Sequence, residues 1–171
     1  MGNKIERFIN NNSHLLLGTN LLETEKSYCA AFVDGEGTIT LRLRKEKKRG
    51  KKGYLFFDPR IITYNNEKEV IDWLRKTVGH GTIKPQIRSN GKIQYRWVLR
   101  PQEKIKNFLS EILPYLRINR KRRLAKLLLE WIFLHQTVKQ NQKINTFYGE
   151  KYKWNPREFE IVKEVKELNK K

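Results

Sequence analysis

A helix-forming run that ends in Asp34-Gly35-Glu36-Gly37 and turns directly into an alternating strand constrains this chain more than any other stretch. Helix formers occupy about residues 25–33, and Gly35 and Gly37 read as a stop, so Asp34 and Glu36 fall at a helix C-terminus. That is the negative end of the helix dipole, where an anionic side chain is disfavoured by roughly 0.3–1 kcal/mol. A divalent cation reverses the sign of that penalty, because magnesium and similar hard ions take carboxylate and carbonyl oxygens as ligands. The alternative is a Gly-rich turn carrying two solvated acids, and the surrounding chain has to decide between them. Thr24 reads as the N-cap of this helix, with Glu25 in its first turn. Cys29, Ala30 and Ala31 place small side chains in its middle, where another backbone can approach closely.

The charge narrows the choice of partner. With 37 Lys and Arg against 18 Asp and Glu, the 171-residue chain carries +19, a self-repulsion that a polyanion relieves. Nucleic acid is the first candidate and an anionic membrane the second. No apolar run approaches the roughly 20 residues of a spanning helix. The longest near the start is Leu15-Leu16-Leu17. One cysteine, Cys29, excludes an internal disulfide and a multi-cysteine zinc site and fits a reducing compartment. His14, His80 and His135 lack the two-His spacing of catalytic zinc.

From Thr38 the period becomes two. Ile39, Leu41 and Leu43 face one way, while Thr38, Thr40, Arg42 and Arg44 face the other. Residues 42–53 hold eight basic side chains, one acid and two glycines and read as a long hairpin loop, followed by a strand over about residues 54–63. Val70, Ile71, Leu74 and Val78 have helical spacing, which Gly79-His80-Gly81 ends. Strands over residues 82–88 and 92–99 flank Ser89-Asn90-Gly91, a hairpin signal. Helices are expected over residues 102–113, 119–136 and 156–169, the last opened by Asn155-Pro156.

This order predicts an α+β domain: helix-strand-strand-helix-strand-strand-helix, with a four-stranded antiparallel sheet whose apolar face is covered by the helices. The other face is a row of Arg, Lys, Gln and Thr, side chains that donate to base edges and phosphates. Residues 82–100 include five basic residues and no acid, which points to nucleic acid. Residues 1–23 read as an extension, 24–136 as the domain, and 137–171 as a helical extension packed on it.

With these pieces placed, the chain resembles the LAGLIDADG homing endonucleases. The resemblance rests on Cys29-Ala30-Ala31-Phe32-Val33-Asp34-Gly35-Glu36-Gly37, on the strand that opens at Thr38-Ile39, on Gly79-His80-Gly81-Thr82-Ile83, and on Leu113-Pro114-Tyr115-Leu116-Arg117-Ile118 ahead of a long helix. It covers about residues 25–136. One copy of the motif resembles the single-motif, homodimeric, intron-encoded class, whose sheet forms a DNA-binding saddle and whose two-fold axis implies a long pseudo-palindromic target in double-stranded DNA.

The resemblance implies a staggered double-strand break made by metal-dependent phosphodiester hydrolysis. Glu36 and the Gly35 carbonyl would bind magnesium, or manganese, and Asp34 would be structural. Relatives carry a lysine where Asn119 stands, so Lys121 or Arg117 would supply the positive charge, and Thr63 would position water. Thr40, Arg42, Arg44, Arg60, Lys84, Gln86, Arg88, Gln94 and Arg96 would reach base edges. The Lys-rich loop, residues 45–52, and residues 120–123 would meet phosphates. The compartment implied is intracellular, an organelle or a prokaryotic cytoplasm. An intron maturase binding RNA, or a regulator that binds without cleaving, would use the same sheet.

Overall fold

The alternating segments pair into one antiparallel sheet because their apolar residues share a face. In a computed structural model, which describes residues 21–46, 54–141 and 154–170, the elements are α1 (Glu23–Glu36), β1 (Gly37–Glu46), β2 (Tyr54–Asn65), α2 (Lys68–Val78), β3 (Thr82–Ile87), β4 (Ile93–Leu99), α3 (Gln102–Ile112), α4 (Asn119–Asn141) and α5 (Pro156–Leu168). A single 3-10 turn, Leu113–Tyr115, follows α3. The strand order is β1-β2-β4-β3. The register sets Ile39 opposite Ile61, Leu43 opposite Phe57, Ile61 opposite Leu99 and Thr63 opposite Trp97. One face therefore buries Ile39, Leu41, Phe57, Ile61, Trp97 and Leu99 against Ile71, Leu74, Phe108, Leu109, Leu128 and Trp131 of the helices. Each such side chain contributes about 1.5–3 kcal/mol by leaving water.

Gly37, Gly79, Gly81 and Gly91 act as the expected punctuation, each for its own reason. Gly79 ends α2 in the left-handed region at φ 71°, and Gly91 takes φ 78° in the β3–β4 hairpin, where the Asn90 side chain accepts from the Lys92 amide at 3.1 Å. At Gly81, φ is 111° and a Cβ would overlap the Trp97 indole, which donates to the His80 carbonyl at 3.0 Å. Gly37 has an ordinary extended backbone, but a Cβ there would lie 2.6 Å from the Val33 carbonyl oxygen. Close approach, not an unusual φ, is what requires glycine where α1 hands over to β1.

Three local expectations are corrected. Thr24 is not the N-cap of α1. The helix starts at Glu23 after Leu22, and the Glu25 carboxylate accepts the Leu22 amide at 2.9 Å, so the capping acceptor comes from inside the first turn. Gly35 does not stop the helix, which runs through Glu36. The stretch from Arg42 is not loop as far as Glu46: β1 continues there, with Leu43 and Lys45 still opposite Phe57 and Leu55. Residues 47–53 lie outside the described residues, as do residues 1–20.

Helix α4 extends past residue 136 to Asn141, and α5 joins the same core through Ile161 and Val165. Its start is capped as expected, with the Asn155 side chain accepting from Arg157 at 2.9 Å and Glu158 accepting from Asn155 at 3.0 Å. Arg157 then pairs with Glu130 of α4 at 2.8 Å, and Asn169 donates to the Ile39 carbonyl at 3.0 Å. Among the described residues no helix is long and apolar enough to cross a membrane.

Replacing Gly37 with Ala forces the α1–β1 junction apart and is expected to cost about 1–3 kcal/mol of stability, read as a lower denaturant midpoint with an unchanged slope.

Candidate functional site

Asp34 decides where the motif end sits. Its Oδ2 accepts the backbone amides of Arg117 at 2.6 Å and Ile118 at 3.3 Å, the two residues that lead into α4. The negative C-terminus of α1 is thereby set against the positive N-terminus of α4, and the carboxylate that burdens one helix end serves the other. Asp34 is buried. Glu36, two residues on, is exposed, and so is Gly35. The two acids of the motif are thus divided, one facing inward and one facing solvent.

Two further groups converge on this end. Lys121, in the first turn of α4, is 7% exposed and donates to the Gly37 carbonyl. Burial holds its ammonium below the usual lysine value, and Arg120 pushes the same way, while Asp34 and Glu36 pull it back up. Thr63 is directly opposite Gly37 in the β1–β2 register and fully buried. Its hydroxyl and Asp34 Oδ1 are two of the four buried side-chain polar atoms without a partner among the described residues. Such atoms cost about 1–3 kcal/mol each and mark a place that holds water, an ion or a reacting group. Asn119 is exposed at the start of α4, and Arg117 is exposed beside it.

The donor set fits a hard cation. Among the described residues no three His, Cys, Asp or Glu side chains cluster as a metal site. The residues that could hold a cation here are Glu36, through its exposed carboxylate, and Gly35, through its carbonyl in the last helical turn, where carbonyls lack intrahelical partners. All-oxygen ligation with few protein ligands suits magnesium or manganese, which retain water and share phosphate oxygens, and does not suit zinc.

The sheet face opposite the core carries the other predicted residues. Arg42, Lys84, Gln86 and Arg88 are exposed, and Gln94 and Arg96 are half-buried. Arg88 donates to Gln94 Oε1 at 3.1 Å. Thr40 is on this face but only 5% exposed, opposite Arg60. Arg44 and Arg60 converge on a residue that sequence reasoning missed, Asp58, which lies on the same face opposite Arg42. Period-two alternation back from Arg60 would have found it. The cluster at residues 120–123 is largely committed within the protein. Arg122 donates to the Leu116 carbonyl at 2.6 Å, Arg123 pairs with Glu164 at 2.8 Å, and Arg120 reaches the Leu168 carbonyl at 3.4 Å. Residues 47–52 of the Lys-rich loop lie outside the described residues.

No protein-family model and no curated protein matches this chain. Solved structures do. The homing endonuclease I-CvuI, in complex with the I-CreI target in magnesium with its DNA not cleaved, is 21% identical, with a TM-score of 0.54 over 86% of this chain and 96% of its own. The group I intron-encoded homing endonuclease I-CeuI, complexed with DNA, is 12% identical, with a TM-score of 0.60 over 95% of this chain and 76% of that one. The LAGLIDADG homing endonuclease I-SmaMI, bound to cleaved DNA, is 17% identical, with a TM-score of 0.58 over 87% of this chain but 44% of that one. At such identities the shared property is the fold, and it is the LAGLIDADG homing endonuclease fold.

Proposed function

We propose that this protein is a homing endonuclease that binds double-stranded DNA as a homodimer and makes a staggered double-strand break by magnesium-dependent phosphodiester hydrolysis. The observation that carries this reading is the position of Glu36: an exposed carboxylate at the end of α1, one residue before the sheet, with the Lys121 ammonium buried alongside. DNA occupies the polar sheet face, whose exposed Arg, Lys and Gln side chains suit base edges. A bound divalent cation would supply charge neutralisation at the scissile phosphate and an activated water, the ordinary metal contribution to phosphodiester hydrolysis. Glu36 and the Gly35 carbonyl would hold that cation. Lys121 adds positive charge behind the same point, and Thr63 presents its buried hydroxyl for an ordered water. Manganese meets the same oxygen donors.

Two copies are needed because one protomer has one Glu36 and a double-strand break has two scissile phosphates. Support for pairing through α1 comes from Ser27, Ala31 and Gly35, which are four residues apart and exposed. Gly35 is helical, and nothing lies within 4 Å of a Cβ built there. Within the protomer this glycine only forfeits helix stability, by up to about 1 kcal/mol relative to Ala. Close approach by a second helix gives it a purpose.

The direct test is incubation of wild type and Glu36→Gln with a pooled duplex library in magnesium, followed by sequencing of the ends. Discrete staggered breaks by wild type are expected. Glu36→Gln should keep DNA binding and lose more than about 100-fold in rate, since even outer-shell changes at metal sites cost about 10–100-fold. Binding without breaks by wild type would overturn the reading.

Ala31→Glu puts a like-charged pair at the two-fold helix contact. It is expected to leave the protomer folded, to weaken dimerisation at least about tenfold in sedimentation equilibrium, and to abolish paired breaks.

Lys121→Met is expected to slow cleavage. It also separates the burial cost from the catalytic role. The cost of the buried ammonium is fully present below its lowered folded-state value and is relieved as pH rises from there toward the usual 10.5. The stability of wild type relative to Lys121→Met should therefore rise through that window in urea titrations.

A further inference from the structure

An acid on a surface that meets a polyanion works against binding unless it does something for the cations beside it. Asp58 is such an acid. It lies on β2, directly opposite Arg42, on the sheet face assigned above to DNA, and its side chain is 9% exposed. Arg60, two residues along the same strand, engages both of its oxygens: Nε donates to Oδ1 at 2.8 Å and Nη2 pairs with Oδ2. Arg44, diagonally across on β1, meets Oδ2 through Nε at 2.9 Å.

The two arginines are not equivalent. Arg60 commits Nε and one terminal nitrogen to the carboxylate, and its side chain is 13% exposed. Arg44 meets it through Nε and is 44% exposed, and its two terminal amino groups have no partner among the described residues, which leaves them as donors. Those amino groups are the fork that donates to O6 and N7 of a single guanine. An unrestrained arginine carries about 2 kcal/mol of rotamer entropy, and holding it in place beforehand reduces the cost of ordering it on the base.

Resting on the DNA-endonuclease reading, we propose that Asp58 is a positioning residue for sequence recognition: Arg60 fixes the carboxylate, the carboxylate fixes Arg44, and Arg44 reads one guanine in each half-site. If Asp58 merely relieved repulsion among Arg42, Arg44 and Arg60, its loss would lower stability and leave base preference intact. The two roles differ in an observable way.

The experiment is affinity selection of wild type, Asp58→Asn, Arg44→Ala and Arg44→Lys on a randomised duplex library in calcium, with sequencing of the bound fraction. Wild type should favour guanine by about tenfold or more at one position per half-site. Asp58→Asn should reduce that preference to under about threefold, and Arg44→Ala and Arg44→Lys should abolish it at the same position, with other positions unchanged. Asp58→Asn keeps the side-chain shape. Should it fail to fold, the exposed Arg44→Lys, which keeps the charge but not the fork, still decides, because retained guanine preference there overturns the proposal. Wild-type preference left intact in Asp58→Asn, or flattened at a position other than the Arg44 one, overturns it alone. A wild type that enriches no sequence overturns the endonuclease reading and this proposal together.

Discussion

The two hydrogen bonds that Asp34 accepts from Arg117 and Ile118 are what the rest of the site depends on. They join elements more than 80 residues apart in sequence and bring the end of α1 onto the start of α4. Bonds to an ionised acceptor contribute about 1.5–3 kcal/mol each, enough to outweigh the roughly 0.3–1 kcal/mol that an anion costs at a helix C-terminus. The consequence is positional. Lys121 is delivered to the Gly37 carbonyl, Thr63 is across the sheet from the same glycine, and Glu36 is left facing outward. A motif that looks wasteful in one helix becomes economical where two helix ends meet.

The same division between inward and outward groups runs through the cations. Composition alone suggests that any of the 37 basic residues is available to a polyanion. In the folded chain Arg157 braces α5 through Glu130 and Glu164, Arg122 closes the turn at Leu116, and Lys121 is buried. Arg42, Lys84, Arg88 and Arg117 remain exposed. Net charge therefore speaks for a polyanionic partner, and the fold decides which cations meet it.

What was legible in the sequence was whatever depends on near neighbours. Period-two alternation marked β1, β3 and β4, and facing apolar residues such as Ile39, Ile61 and Leu99 can share a core only in one register. Gly79, the Asn90-Gly91 pair and Asn155 marked turns and caps through chemistry within three residues of themselves. What was not legible depends on distant partners. The Trp97 indole spans 17 residues to the His80 carbonyl, Asn169 spans 130 to Ile39, and the Asp34 bonds span 83 and 84. Asp58 is the intermediate case: its place on the polar face follows from alternation, but its grip on Arg44 follows only from the β1–β2 pairing. At the site, Glu36 and Asp34 stand out in the sequence as a pair, whereas their opposite roles emerge only when α4 arrives.

The proposed function would leave a single copy of this chain chemically incomplete in a way that fits its surface. On the proposed function, Glu36 and one backbone carbonyl would supply two of the roughly six oxygens a magnesium ion takes, and the remaining positions would fall to water and to phosphate. Cation affinity should then be linked to DNA binding, since each contributes ligands or charge that the other lacks. The exposed Ser27, Ala31 and Gly35 stripe lies on the helix that carries Glu36, so a contact that pairs two copies along α1 also sets the distance between their two carboxylates. On that reading, assembly, metal binding and strand spacing would become one geometric problem, solved at the end of one helix.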